Sequence, residues 1–125
     1  MGRINRITCS ACLREWQCRI GCGLMHACLE DVVSEFPEET GREITEQIGT
    51  EEFPVFDFAY HCSVCRECNS IVSVPILKFP DRGTEYMGRC PGCGGVTQLI
   101  TDLGGMLCPV CGERALSEEE AGSWD

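Results

Sequence analysis

The stretches Cys90-Pro91-Gly92-Cys93-Gly94 and Cys108-Pro109-Val110-Cys111-Gly112 decide the fold of this chain. Each brings two thiols close together by a Cys-x-x-Cys spacing and follows them with a glycine that suits a tight turn. Two further pairs with this spacing, Cys9/Cys12 and Cys62/Cys65, precede them. The chain therefore carries four Cys-x-x-Cys pairs, which we call knuckles.

The cysteine content raises the choice between disulfides and metal. The chain has 12 cysteines among 125 residues, well above the ordinary usage. Disulfides need an oxidising compartment, but the segment from Met1 to Thr8 lacks the apolar core of a secretory signal. No apolar run is long enough to cross a bilayer. The sequence thus predicts a cytoplasmic, soluble protein without a membrane partner, whose thiols bind metal.

The number of knuckles predicts two metal sites. Eight thiolates are the complement of two tetrahedral four-cysteine zinc sites, and such closed sites contribute folding energy and leave no position for a substrate. Iron is the alternative metal, because a four-thiolate site accepts either. The predicted ligands are Cys9, Cys12, Cys62, Cys65, Cys90, Cys93, Cys108 and Cys111.

The pairing of the knuckles stays open between two schemes. The simpler one joins Cys90/Cys93 to Cys108/Cys111, and Cys9/Cys12 to Cys62/Cys65. The nested one joins Cys62/Cys65 to Cys90/Cys93, with the outer two knuckles closing the domain. Local pairing is favoured only weakly, because doubling a loop costs about 0.6 kcal/mol. Cys65 and Cys68 also have the Cys-x-x-Cys spacing, so Cys68 is an alternative ligand to Cys62.

Four cysteines and two histidines remain outside this ligand set. Cys18 alternates with Trp16 and Ile20, and Cys28 falls on an apolar helical face, so both are predicted to pack in the core. A third metal site is the alternative use of these residues. Its candidate ligands are Cys18, Cys22, His26, and Cys28 or Cys68, with His61 as a further nitrogen donor.

Most of the chain between knuckles is predicted to be β. Alternation predicts strands over residues 14–20 and from Phe56 to Tyr60, and residues 71–79 form another whose Pro75 indicates an edge or a bulge. Residues 84–89 return from a turn at 80–83. A second, shorter hairpin is predicted from residues 96–101 and 106–107.

A helical insertion separates the first two knuckles. Leu24, Cys28 and Val32 have helical spacing in a run that Pro37 ends, and a weaker helix is predicted from Thr40 to Ile48. Residues 117–125 are predicted to be a disordered or loosely attached tail, because they are acidic and poor in apolar residues. The predicted fold is a small α+β, metal-stapled protein with zinc-ribbon β-hairpins. Its parts are residues 1–23 (first knuckle), 24–54 (helical insertion), 55–112 (three knuckles) and 113–125 (acidic tail).

The charge balance limits the class of partner. The formal net charge is −10, and each four-thiolate zinc site adds about −2. Direct binding of nucleic acid is therefore not expected. Because no nucleophile–base pattern surrounds His26 or His61, the sequence predicts no enzyme. It favours a protein-interaction or regulatory module with a protein partner, or an accessory subunit of a nucleic-acid machine, and gives no oligomeric state.

Two resemblances add to this prediction. The stretch Ile7-Thr8-Cys9-Ser10-Ala11-Cys12, the segment at residues 20–25, and the knuckles at Cys62, Cys90 and Cys108 resemble small bacterial multi-knuckle zinc-ribbon proteins in the style of the CpXC proteins, although the first two knuckles lack the usual Pro and Gly. The segment from Cys90 to Cys111 is also similar to rubredoxin-type iron sites. The first resemblance implies the fold and a metal, and the second implies iron electron transfer as the alternative function.

Overall fold

Antiparallel strands are the main regular structure in the part of the chain that the computed structural model describes, residues 2–23, 28–51 and 54–124. Two short helices separate β2 from β3. The strands are β1 (Gly2–Cys9), β2 (Glu15–Ile20), β3 (Asp57–Cys65), β4 (Ser70–Phe79), β5 (Thr84–Met87), β6 (Gln98–Leu99) and β7 (Leu116–Trp124), and the helices are α1 (Leu29–Val33) and α2 (Glu38–Ile48). A small, mostly β protein with few helices agrees with the predicted class.

The strands form two sheets. The first has the order β2-β1-β7, and the second has the order β5-β4-β3-β6. The sheets meet at Gly21 and Tyr60, where the Gly21 N–H donates to the Tyr60 carbonyl oxygen at 3.1 Å and the Tyr60 N–H donates to that of Gly21 at 2.7 Å. The end of β2 is thereby held beside the first half of β3.

Pro75 lies inside a strand that has neighbours on both sides, which differs from the predicted edge or bulge. β4 pairs with β3 along its whole length, but β5 covers only Ile76–Phe79. The Pro75 carbonyl accepts the Gly88 N–H at 2.8 Å, so its backbone polar groups face away from β3. Pro75 has no N–H to donate back to Gly88, so the pairing of β4 with β5 ends at this position.

The predicted disordered tail was wrong, because residues 116–124 form strand β7. β7 pairs antiparallel with β1, with Cys9 opposite Leu116 and Gly2 opposite Trp124. Two of its glutamates accept side-chain hydrogen bonds: Arg6 donates to Glu119 at 2.6 Å, and Asn5 donates to Glu118 at 3.1 Å. The Trp124 indole N–H donates to the Arg3 carbonyl at 3.1 Å. Backbone pairing with a strand more than 100 residues earlier thus orders a segment whose composition alone indicated disorder.

The predicted hairpin at residues 96–107 was also wrong. Only β6 is a strand there, and it pairs with β3 rather than with residues 106–107. The predicted turn is present, since the Gly105 N–H donates to the Asp102 side chain at 3.3 Å. β6 pairs with the edge of β3 that faces away from β4, over two residues of each strand.

The helical insertion follows the prediction in its second half. α2 ends at Ile48, and Gly49 follows it with a positive φ of 61°, which glycine adopts without strain. α1 is shorter than the predicted run, and residues 24–27 of that run lie outside the described residues. Cys28 precedes α1 and is exposed, so its predicted place in the core was wrong. Neither helix has the length and apolar character that crossing a membrane requires, within the ranges described.

Two small apolar clusters support the sheets. One lies between the sheets and includes Ile7, Trp16 and Cys18 of the first sheet with Ile71 of β4, as the alternation of β2 predicts. The other packs the helices on the second sheet, through Val32, Phe36, Ile44, Phe58, Tyr60, Leu77 and Phe79. Each fully buried aliphatic or aromatic side chain contributes about 1.5–3 kcal/mol, so a chain of this size has limited apolar stabilisation.

Candidate metal centres

Eight cysteines meet in two groups of four. Within each group the Sγ atoms all lie within 4.8 Å of one another. We call Cys9, Cys12, Cys108 and Cys111 the terminal site, and Cys65, Cys68, Cys90 and Cys93 the central site. These are the groups of metal-ligating side chains found in the part of the chain that the structure describes.

The sulfur spacing fits a tetrahedral metal. In the terminal site the Sγ–Sγ distances are 3.6 Å for Cys9–Cys111 and 3.8 Å for Cys12–Cys108. In the central site they are 3.4 Å for Cys65–Cys93 and 3.7 Å for Cys68–Cys90. A zinc ion with Zn–S bonds of about 2.3 Å requires an edge of about 3.8 Å between sulfurs. A disulfide requires about 2.05 Å, so both groups have the dimensions of a metal site.

Strand pairing explains the central site. β3 ends at Cys65, and the turn into β4 carries Cys68. β4 leaves this end of the sheet and β5 returns antiparallel to it, which brings the chain back to deliver Cys90 and Cys93. The hairpin and the returning strand therefore place both knuckles at the same end of one sheet.

The terminal site follows the same rule in the other sheet. β1 ends at Cys9, and the turn into β2 carries Cys12. β7 begins at Leu116, directly opposite Cys9, so the residues just before β7 lie beside the first knuckle. Those residues carry Cys108 and Cys111. β7, which the sequence predicted to be a tail, is thus the element that aligns the two halves of this site.

A left-handed residue follows each knuckle of the two sites. The φ angle is 65° at Leu13, 53° at Asn69, 75° at Gly94 and 77° at Gly112. At three of the four, its N–H donates to the carbonyl of the first cysteine, at 2.8 Å from Leu13 and 2.9 Å from Gly94 and Gly112. Glycine adopts this conformation freely and asparagine tolerates it, but leucine is strained there.

Backbone amides and neighbouring thiols set the charge preference of the ligands. The backbone N–H of Cys12 hydrogen-bonds Cys9 and, against burial, lowers the pKa of Cys9 to about 7. The backbone N–H of Cys68 similarly lowers the pKa of Cys65 to about 7. At Cys93 the Gly95 amide favours the thiolate, but the Cys65 thiol and burial outweigh it and raise the pKa to about 12. One thiolate forms readily in each site, and the remaining negative charge requires a cation.

The structure brings together seven of the eight predicted ligands. Cys62 lies outside both sites, and Cys68 stands in the position predicted for it, as the alternative spacing allowed. The outer two knuckles pair with each other and enclose the central pair, which is the nested scheme. The simpler scheme, in which neighbouring knuckles pair, was wrong. The signal for Cys68 was Asn69, which tolerates the left-handed turn, whereas Arg66 follows the pair Cys62/Cys65.

The other candidate ligands do not join these groups. Cys18 is buried beside Cys62, and Cys22 and Cys28 are exposed. His61 is exposed on β3 and belongs to neither site. His26 lies outside the described residues, so the third metal site that includes it stays a prediction.

No protein-family model matches the chain, and the comparisons with curated proteins and with solved structures gave no match either. The class of protein is therefore defined by its own geometry: a small antiparallel β protein with two tetracysteine groups that could bind metal ions.

Proposed function

We propose that the protein binds two zinc ions as structural staples and acts as a protein-interaction or regulatory module. The observation that carries this proposal is the closure of both sites by four sulfurs at tetrahedral spacing. A metal with four protein ligands has no open position for substrate or water, so its contribution is to stability. The resemblance to CpXC-like bacterial zinc-ribbon proteins supports the same assignment.

Exposed apolar side chains around the terminal site support an interaction role. Leu13 follows the first knuckle and is 79% exposed, Leu107 precedes Cys108 and is 49% exposed, and Val110 lies between Cys108 and Cys111 and is 48% exposed. Leu13 is also in the left-handed conformation, where glycine would be unstrained. A strained and exposed leucine has a cost to folding that a contact with another protein would offset.

The charge of the chain indicates the chemistry of the partner. Glu39, Glu43 and Glu46 are exposed on α2, while Ile44 of the same helix is buried. With a formal net charge of −10, we expect the partner to present basic residues and the association to weaken with salt. A protein of a nucleic-acid machine fits this description, and nucleic acid itself does not.

Metal analysis tests the assignment of zinc. Protein purified without added metal is expected to contain about two zinc ions per chain. It is expected to show no visible absorbance, because the d shell of Zn²⁺ is filled. Removal of the metal by a chelator is expected to unfold the chain, since structural zinc contributes about 10–16 kcal/mol per site. Iron with visible charge-transfer bands would instead favour the rubredoxin-like electron-transfer function, and protein that stays folded without metal would contradict the proposal.

Replacing Leu13 tests the interaction surface. Leu13→Asn is expected to stabilise the metal-loaded protein by about 1 kcal/mol, because asparagine tolerates a positive φ, and to weaken association with the partner. The measurements are the thermal midpoint and a comparison of the proteins retained by each variant from cell extract. Val55→Asn, at an exposed apolar residue away from the knuckles, is the matched control. Identical retention by both variants and the original protein would rule out Leu13 as a contact.

A further inference from the structure

Two cysteines outside the metal sites face each other where the sheets meet. Cys18 precedes Gly21 by three positions on β2, and Cys62 follows Tyr60 by two on β3. Gly21 and Tyr60 form an antiparallel bridge, which brings this end of β2 beside β3. Cys62 packs against the apolar cluster that contains Cys18.

Ser73 holds this junction in place. Its hydroxyl oxygen accepts the Arg19 N–H at 2.7 Å and its O–H donates to the Arg19 carbonyl oxygen at 3.0 Å, which fixes β2 against β4. Ser73 is also the residue opposite Cys62 in the β3–β4 ladder, and its hydroxyl is within hydrogen-bonding reach of the Cys18 thiol. The two sulfurs and this hydroxyl form one polar cluster between the sheets.

The environment of the two thiols differs. Cys18 is 0% exposed. Cys62 is partly exposed and lines a pocket of about 300 Å³, whose wall also includes Arg3, His61 and Glu118. A small molecule in this pocket would contact Cys62, whereas the buried Cys18 does not line it.

The pair is arranged to hold one proton. A hydrogen bond with Cys62 lowers the pKa of Cys18, and the same bond, together with burial, raises the pKa of Cys62. The first proton therefore leaves more easily than the second, and the pair titrates as a unit. Glu118 opposes the charge on both sulfurs, whereas Arg3 favours a thiolate at Cys62. A thiolate beside a thiol can be converted to a disulfide when an oxidant takes up two electrons.

We propose that Cys18 and Cys62 form a reversible disulfide between the two sheets, with a hydroperoxide as oxidant, and so make a redox-sensitive site separate from the metal centres. The Cys62 proton first passes to the Cys18 thiolate, and Cys62 then attacks the hydroperoxide oxygen. The O–O bond breaks, and the leaving oxygen takes a proton from solvent to become an alcohol, or water from hydrogen peroxide. Cys18 then attacks the Cys62 sulfenic acid, forms the S–S bond and expels hydroxide, which takes the Cys18 proton to become water. A low-molecular-weight thiol reverses the reaction by exchange.

The test is peptide mapping of the full-length, zinc-loaded protein after treatment with hydrogen peroxide at one equivalent per chain. The expected product is a peptide pair joined through Cys18 and Cys62, two hydrogen masses lighter than the reduced pair, which forms before zinc is released and disappears with a thiol reductant. Zinc release is followed in the same sample with a colorimetric indicator. Zinc release or oxidation of other cysteines without this joined pair would overturn the proposal.

Matched variants separate the pair from other thiols. Cys62→Ser is expected to abolish the joined pair, and Cys28→Ser, at an exposed thiol outside both metal sites, is expected to leave it unchanged. Cys18→Ala is the second variant if Cys62→Ser does not retain its zinc. The proposal fails if an equal amount of disulfide forms without Cys18 or Cys62.

Discussion

Replacing Cys68 by serine is expected to reduce the metal content from about two ions per chain to about one. The central site would keep three thiolates and lose the closed tetrahedron, so its share of the folding energy, about 10–16 kcal/mol for a structural zinc, would be largely lost. Because the net stability of a domain is about 5–15 kcal/mol, the region around β3 to β5 is expected to unfold. Metal content and far-ultraviolet circular dichroism measure both effects.

The matched control for this experiment is Cys62→Ser. Cys62 belongs to the same segment and was a predicted ligand, but its sulfur lies beside Cys18 and outside both sites. This variant is expected to retain both ions and the native spectrum, with only a modest loss of stability from the changed packing. If Cys62→Ser lost an ion and Cys68→Ser kept two, the ligand set that the geometry gives would be incorrect.

A chain that ends at Ala115 is expected to lose the terminal site and the sheet that carries it. The shortened chain has no β7, so β1 would have an open edge and Cys108 and Cys111 would no longer be aligned with Cys9 through the pair Cys9–Leu116. We expect about one ion per chain and a thermal midpoint lowered by more than 10 °C, since a strand, a buried leucine and a metal site are removed together.

Two further variants show which property of β7 matters. Changing Glu118, Glu119 and Glu120 to glutamine keeps the backbone ladder and is expected to keep both ions, because exposed ion pairs contribute little. Trp124→Ala removes the ring that packs at 5.5 Å from Tyr60 and is expected to lower stability without loss of metal. An unchanged metal content in the shortened chain would mean that the segment acts as a free acidic tail.

Local patterns identified the parts of the fold that depend on neighbouring residues. The alternation of Trp16 and Cys18 predicts β2 because the side chains of a strand alternate between its faces, and Ile44 with Gly49 marks α2 and its end. The Cys-x-x-Cys spacing gave seven of the eight cysteines that meet in the two groups. These features are determined within a few residues of chain.

Long-range pairing could not be obtained in this way. The choice between the two knuckle pairings depends on β7 finding β1, and nothing in the acidic sequence around Glu119 encodes that partner locally. Cys62 and Cys68 have the same spacing from Cys65, so only the backbone conformation of the turn distinguishes them. Asn69 adopts a φ of 53° and so permits the turn at Cys65–Cys68, which the cysteine spacing alone does not indicate.

The nested order also determines when each metal site becomes complete as the chain is synthesised. Cys65 and Cys93 are 28 positions apart, whereas Cys9 and Cys111 are 102 apart. A chain emerging from the ribosome can therefore bind metal at the central site before Cys108 and Cys111 are synthesised. Until then Cys9 and Cys12 have only each other as ligands of the terminal site. Closing the longer loop costs only about 1 kcal/mol more. The terminal site is therefore completed later than the central site without a large difference in loop-closure free energy. During that interval the first knuckle is open to oxidation or to binding of another metal.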